Sequence, residues 1–507
     1  MTEELKKQIE EFREKTEQFS KGEISVKDYK GYSGRFGSYA QKGAKSGMLR
    51  LRMAGGRLSK DRLKAIIDIC DKYGITRAHC TTCQTIQLHD LPLNIIADVM
   101  TDAIDSGFYT IGGGGDFPRN VMVSPLSGVE VGENFDVYPY AHEAAGFLID
   151  TMDEVKMPRK LKVCFSNSPV NAVHATFRDL GFVSRPDGLF DVYCAGGMGA
   201  NPKMGVKVAE AVDGKNVLYY IKAMKALFCK YGNYENRSKA RTRYMQDVLG
   251  DKLKDEFNAQ LQEAMSEGGL DIEVSVQEIT KQGIEKSFDD PRVIAQKQQG
   301  LYAVKFHPIG GQLTPDMLKD IYNAIKDMDD VSVRVAPDET MYIINCNGSE
   351  VQAVLAATEC GARTPIEESV SCIGATVCQQ GLRDSQGLLK AILDEVHKHD
   401  IAPDALPIIH ISGCMSSCGT HQIGKIGFHG KVKLVDKKPV PGFTININGC
   451  DKQGMEHFGK EIGVMAADEI PVFMAELGET VTESKMSYDE FVQKNPDKQM
   501  EIINKYI

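Results

Sequence analysis

Gly47-Met48-Leu49-Arg50-Leu51-Arg52-Met53-Ala54-Gly55-Gly56-Arg57-Leu58-Ser59 is echoed by Gly300-Leu301-Tyr302-Ala303-Val304-Lys305-Phe306-His307-Pro308-Ile309-Gly310-Gly311-Gln312-Leu313-Thr314. From the glycine pair onward the two copies are offset by 255 residues. Each opens with an alternating strand. Ser59 or Thr314 then caps a helix whose apolar positions (Leu63, Ile66, Ile67 and Cys70, or Leu318, Ile321 and Ile325) recur at helical spacing. A second alternating strand follows at 85–89 and 340–344, and a further helix near 93–106 and 349–359 closes each copy. Two β-α-β-β-α units this far apart predict a pseudo-twofold α+β protein, each unit followed by a longer α/β domain. Concave surface for a site lies between such repeats. The alternative is a chance likeness of two common units.

Around this repeat the composition is that of an ordinary globular protein. The chain has 507 residues, enough for three or four domains, and is 42% hydrophobic and 26% charged. Its net charge of -10 argues against sequence-independent nucleic-acid binding, which needs a basic surface. No apolar run approaches the roughly 18 residues of a membrane-spanning helix. The start, Met1 to Lys7, has no apolar segment behind its charges, so no signal peptide is expected and a cytoplasmic setting is. Residues 1–30 hold 15 charged side chains, with Leu5, Ile9 and Phe12 at helical spacing, and predict one amphipathic helix lying on the body. Five glycines between Gly31 and Gly47 predict a wrapping loop.

Thirteen cysteines in such a chain read as thiols or metal ligands rather than disulfides. Cys70, Cys164, Cys194, Cys229 and Cys346 sit singly among apolar residues, as small hydrophobes do. Cys372-x5-Cys378, followed by Gly413-Cys414-x3-Cys418-Gly419, is different. Four thiolates on two glycine-flanked segments can close a set of sulfur ligands, which suits zinc or an iron–sulfur cluster. Structural zinc favours tighter knuckles on both sides, so the five-residue gap leans toward the cluster.

This cysteine pattern resembles the motif of the sirohaem- and [4Fe-4S]-containing sulfite and nitrite reductases, and the duplicated half-domain is similar too, over about residues 30–480. The resemblance implies the pseudo-twofold nitrite/sulfite reductase fold: two ferredoxin-like half-domains, 46–115 and 296–365, after an N-terminal helix and wrapping segment at 1–45. A sirohaem-binding α/β domain would occupy 116–295, and a [4Fe-4S]/sirohaem domain 366–507. It implies that Cys372, Cys378, Cys414 and Cys418 hold the cluster and that Cys418 also ligates the sirohaem iron. One thiolate shared by both centres would couple the electron store to the iron for a six-electron reduction of sulfite, or of nitrite as the alternative. The other reading, from a different class, is a zinc-binding structural or docking module.

An acidic protein must gather cations to seat an anionic cofactor and an oxyanion. Arg50 and Arg52 alternate on one strand, Gly112 to Asn120 is a glycine-rich loop carrying Arg119, and Pro158-Arg159-Lys160-Leu161-Lys162 precedes an apolar strand. Taken alone, basic residues at strand ends are ordinarily solvated. The resemblance maps substrate-binding and catalytic cations onto Arg50, Arg119, Lys160 and Lys162, where arginine forks grip oxyanions and lysines pass on protons. The second lysine tilts the expectation toward sulfite. By the same resemblance Thr81, Gln84, Gln87, His89, Asn120, Arg159 and Arg237 seat the macrocycle, and Gly196 to Gly199 is a glycine-rich turn. Cys83 departs from the family pattern, which has arginine there; Cys80-x2-Cys83 reads as two thiols under that segment, or else as a redox or zinc pair. Cys414-Met415-Ser416-Ser417-Cys418 also departs from the usual form. No eight-cysteine ferredoxin module, flavodoxin-like domain or FAD/NADPH domain is visible, so an external donor, a ferredoxin by expectation, would supply the electrons.

Overall fold

The N-terminal charge-rich segment forms two helices, α1 (Glu3–Ser20) and α2 (Val26–Ser33), in a computed structural model that describes residues 2–507. The single helix expected over residues 1–30 is interrupted because Gly22 adopts a positive φ of 77° and the Ser25 side chain caps α2. Ile9, Phe12, Thr16 and Phe19 are the buried stripe of α1, and Arg13 reaches across to Asp98 at 2.8 Å. The stretch expected to be a wrapping loop is more ordered than that. Gly31 lies inside α2, and β1 (Ser38–Ala40) pairs antiparallel with β2 (Ser46–Leu51).

The first repeat continues with β3 (Arg57–Leu58), α3 (Lys60–Tyr73), β4 (Ala78–Cys80), β5 (Ile86–Pro92) and α4 (Ile96–Asp105). Then come β6 (Met122–Val123), α5 (Tyr138–Asp150), β7 (Val163–Ser166), β8 (Leu180–Ser184), β9 (Phe190–Cys194), β10 (Val206–Val212), α6 (Val217–Tyr231), α7 (Met245–Leu249) and α8 (Leu253–Glu267). The second repeat holds β11 (Val293–Ala295), β12 (Leu301–Phe306), β13 (Gln312–Leu313), α9 (Pro315–Ile325), β14 (Ser332–Val335), β15 (Met341–Asn347) and α10 (Val351–Ala357). The chain ends through β16 (Val370–Ser371), α11 (Ser385–Val396), β17 (Ile409–Ser412), β18 (Ile426–Val435), β19 (Lys438–Ile447), β20 (Lys460–Ala466), α12 (Ile470–Ser484), α13 (Tyr488–Lys494) and α14 (Pro496–Asn504).

Among the described residues four five-stranded sheets result, in two matched pairs. One pair runs β1-β2-β5-β4-β13 and β11-β12-β15-β14-β3, so each repeat lends its two-residue strand to the other's sheet. Ser59 and Thr314 do cap α3 and α9, accepting from Arg62 N and Met317 N at 3.3 Å. One continuous core, from Ile66 and Leu88 to Ile321 and Ile343, fills both halves. Gly56 and Gly311, at φ 66° and 70°, make the exchange possible: a Cβ on Gly56 would lie 2.1 Å from Val335 O. The other pair, β6 to β10 and β16 to β20, shares one topology, with two parallel pairings followed by two antiparallel ones. Those sheets carry separate cores, one around Phe165, Phe182 and Phe228 and the other around Phe428, Phe443 and Phe473.

Candidate active site

Segments next to β2, β7 and β17 bring cations together, with Lys160 feeling Arg241, Lys162 and Arg119 as well as Cys418. Arg50, at the end of β2, donates through Nη1 to Gly113 O. Arg119 reaches the same glycine loop, with Nη1 on Gly113 O at 2.9 Å and Nη2 on Gly115 O at 2.7 Å. Behind Arg50, the Gln87 amide, turned to suit both neighbours, accepts from Arg50 Nε at 3.1 Å and donates to His89 Nε2 at 3.2 Å. Arg159 and Arg237 converge on Asp116, at 2.8 and 2.7 Å. Lys160 and Lys162 lie just before β7. The Lys162 backbone N–H donates to Asp179 at 2.9 Å, and the same carboxylate accepts from Arg241 at 2.9 Å and from the Thr242 hydroxyl.

The electrostatics follow from crowding. Burial, with the charges of Arg241 and Lys162, holds Lys160 well below the ordinary lysine range. Burial lowers Arg119 to about 10, with Arg50 adding to the effect and Tyr39 opposing it. Burial works against charge on Asp179, but Arg241 and Thr242 outweigh it and keep the carboxylate below its usual range. Burial also opposes charge on Cys83, yet the Lys162 and Arg178 cations bring the thiol down to about 6. A site that depresses lysine and arginine by burial and, after it, by like charges is suited to receive an anion.

The four motif cysteines sit on two loops that touch. Gly413 N donates to Cys372 Sγ at 3.1 Å, Leu382 N and Arg383 N donate to Gly413 O, and Gln380 N donates to Cys378 Sγ at 3.4 Å. Gly419 lets the second loop lie flat on β17, where a Cβ would come within 2.0 Å of Ile411 O. Burial and the neighbouring Cys418 push the Cys372 thiol up to about 12. Cys418 keeps exposed surface, and its thiol is raised by burial and by Cys378 and Cys414, with Lys160 opposing that rise. Thr82 ties this corner to the first half of the chain, its Oγ1 donating to Cys418 O at 2.8 Å. Among the described residues, no three Cys, His, Asp or Glu side chains converge on a position for a single metal ion.

Several residues expected to seat the macrocycle have protein partners in the structure. Gln84 is 0% exposed with no cofactor present, and its amide is used up on Val123 O, Val335 O and Val123 N at 2.8–2.9 Å. His89, Gln87 and Asn120 are buried as well. The first two back Arg50, and Asn120 donates to Cys83 O and Gln84 O at 3.1 Å. Gln84, Gln87 and His89 are buried because the segment turns inward after Cys83, Asn120 braces that turn from its own loop, and Thr81, Thr82 and Cys83 stay half-buried. Tyr39, Arg178 and Asp179 were not singled out from the sequence. Tyr39 accepts from Gly115 N at 2.6 Å beside Arg119, and burial of its phenol is outweighed by these neighbours, which lower it. Tyr39 stands alone in its segment and Arg178-Asp179 is an isolated pair, with no spacing to mark either.

A family model described as "Nitrite and sulphite reductase 4Fe-4S domain" matches residues 114–267. A second, "Nitrite/Sulfite reductase ferredoxin-like half domain", matches 39–103 and again 294–359, so that together they span more than half of the chain. The chain belongs to the nitrite and sulphite reductase family. It is therefore an oxidoreductase, with the pseudo-twofold fold of that family. Among its relatives, a ferredoxin–nitrite reductase of Arabidopsis thaliana is 25% identical over 418 residues, 79% of this chain and 70% of that one. A ferredoxin sulfite reductase of Mycobacterium tuberculosis is 25% identical over 440 residues, covering 83% and 75%. The solved structure of Mycobacterium tuberculosis NirA matches with a TM-score of 0.77 at 21% identity, over 93% of this chain and 91% of that one, a likeness of fold.

The family's cofactors are sirohaem and a [4Fe-4S] cluster, and the residues present fit both. Sirohaem carries eight carboxylates, and the pocket offers an excess of cations, with the Nε atoms of Arg119 and Arg241 buried and unpartnered. The cysteine loops offer four thiols whose mutual crowding is relieved once iron displaces their protons. Among the described residues, no helix is long and apolar enough to cross a membrane.

Proposed function

We propose that this protein reduces sulfite to sulfide by six electrons delivered one at a time from a separate carrier of the ferredoxin type. The observation that carries the reading is the convergence of Arg50, Arg119, Lys160 and Lys162 beside Cys418, with an acidic chain otherwise around them. When bound, the sirohaem iron would hold the oxyanion, and the cluster on Cys372, Cys378, Cys414 and Cys418 would store its electrons, with Cys418 shared between them. The chain's own part is positional. Arg50 and Arg119, pinned to one glycine loop, present fixed forks to the oxygens. Lys160, with its depressed affinity for a proton, is suited to give that proton to an oxygen leaving as water. Arg159, Arg237 and Thr81 hold the macrocycle's edge under the same reading, and the division into 1–45, 46–115, 116–295, 296–365 and 366–507 belongs to it. Thirteen free thiols favour a reducing, cytoplasmic setting.

Nitrite reduction to ammonia at the same centre is the second reading. It is favoured by Cys83, whose thiol is brought down to about 6 by the Lys162 and Arg178 cations against its burial, since an anionic sulfur there would leave less net charge for a guest. Steady-state rates with sulfite and nitrite on one preparation, using a reduced dye, decide between them. A purified protein with no Soret band and no broad brown shoulder would overturn both. Cys418→Ser is expected to abolish turnover while the protein stays folded; full turnover in that variant would remove the shared thiolate from the scheme.

A further inference from the structure

The loop between β7 and β8 holds two residues in the left-handed region, Asn171 at φ 55° and His174 at φ 59°, neither of them glycine. Such strain persists only where surrounding contacts enforce it. Here the contacts come from the segment between β19 and β20. Asn171 Nδ2 donates to Asp451 O at 2.8 Å, Gln453 N donates to Pro169 O at 3.1 Å, and Phe177 meets Phe458 edge-on. The buried His174 ring is thereby clamped between two groups. Its Nε2 lies 3.1 Å from Asp451 Oδ2, and its Nδ1 lies 2.9 Å from Arg178 Nη2. A guanidinium only donates, so Nδ1 accepts, and the ring proton sits on Nε2, which donates to Asp451.

Arg178 is itself buried, with Nε donating to Val173 O at 3.0 Å. Among the described residues, its Nη1 makes no hydrogen bond and no carboxylate pairs with the guanidinium directly. Buried charges are ordinarily paired, so this one lacks its counter-ion. The next residue is Asp179, the carboxylate that takes the Lys162 N–H and Arg241. The charge of Arg178 is also felt by Cys83 and Lys162, which puts it among the cations of the site.

We propose that Arg178 is a further anion-gripping residue of this site, and that Asp451, acting through His174, is the positioning residue that aims it from the other α/β sheet. The inference deepens the reading above and rests on it. What Arg178 grips is an oxygen anion, either the substrate or a carboxylate of the macrocycle. Its guanidinium is planar, so tying down Nε and Nη2 fixes the direction of Nη1. A fork held this way has little freedom left to lose when the anion arrives. The clamp also needs both sheets, since His174 and Arg178 precede β8 while Asp451 follows β19.

The test uses the cofactor-loaded enzyme and two readouts that need no turnover. One is the affinity for sulfite, from the shift of the Soret band; the other is the sirohaem kept per chain after dialysis at high salt. Arg178→Gln should weaken one of them by about tenfold, the loss of a charge-assisted hydrogen bond. A fall in sulfite affinity names the substrate as the guest, and a fall in retained sirohaem names the macrocycle. Asp451→Ala should lower the same readout by about threefold and should add nothing in the Arg178→Gln background. A merely structural Asp451 would lower both backgrounds alike. His174→Gln offers a carbonyl to Arg178 and an amide N–H to Asp451, so it should behave as the parent does, and His174→Phe should not. That pair decides the matter even where Asp451→Ala fails to fold. Neither readout moving in Arg178→Gln overturns the assignment. So does an undiminished effect of Asp451→Ala added to Arg178→Gln, or His174→Gln behaving like His174→Phe. In a parent that carries sirohaem and binds sulfite, those results strike only Arg178 and its support. A parent that carries no sirohaem strikes the proposed reaction and this inference with it.

Discussion

Gln84 and Lys160 illustrate opposite fates for polar side chains within a few ångströms of one pocket. The Gln84 amide stitches β6 and β14 to the first repeat, so Gln84→Leu should cost at least about 3 kcal/mol by stranding buried backbone groups. Urea unfolding checks that figure. The folded fraction of Gln84→Leu should carry as much cofactor per chain as the parent, and a selective loss of cofactor would return Gln84 to the macrocycle. Burial and the charges of Arg241 and Lys162 weaken the hold of Lys160 on its proton, and a proton donor must hold its proton to act. The alkaline limb of kcat/KM is therefore expected below the ordinary lysine value, and Arg241→Gln should move it to higher pH, because removing a like charge favours the ammonium. A limb that stays put would separate Lys160 from proton delivery.

At the scale of elements, the short strands β3 and β13 do more than their length suggests, since each closes the edge of the other repeat's sheet. Gly56→Ala would force a positive φ on alanine and drive its Cβ against Val335 O, so a loss of about 2–4 kcal/mol is expected, with both sheets melting in one transition. Two resolved transitions by urea titration would show the sheets to be independent. The repeat itself was legible because β2, α3, β5 and their partners carry alternation, caps and periodic apolar residues. The exchange was not, because two-residue strands have no period to read. The site divides in the same way. The four cysteines and the paired lysines announce themselves by spacing, whereas Arg178 and Asp179 matter only because β7 and β8 lie side by side. The turn after Cys83, where Gln84 takes a positive φ of 55°, sends Gln84, Gln87 and His89 into the interior.

Across the whole molecule, several histidines are folded away from protons. Burial lowers His79 to about 4 and His421 to about 3, and both are nearly inaccessible. A histidine whose folded value lies below its unfolded one contributes stability in full above about pH 6.5, and that stability is lost as pH falls toward the folded value. Each should be worth on the order of 3 kcal/mol by pH 4. Thermal melting followed from pH 7.5 to 5 is expected to fall steadily, beginning near 6.5. A flat profile would mean that these rings find protons without unfolding.

The crossed placement of β3 and β13 also governs what happens if the polypeptide is severed in the long connection between α8 and β11. Each fragment would be missing an edge, leaving bare backbone donors and acceptors that invite clumping when a piece is made alone. Made together, the pieces hold complementary keys and should reassemble without a covalent link. A single-copy forerunner would have faced the same requirement, and a mutual embrace between two identical chains would have met it.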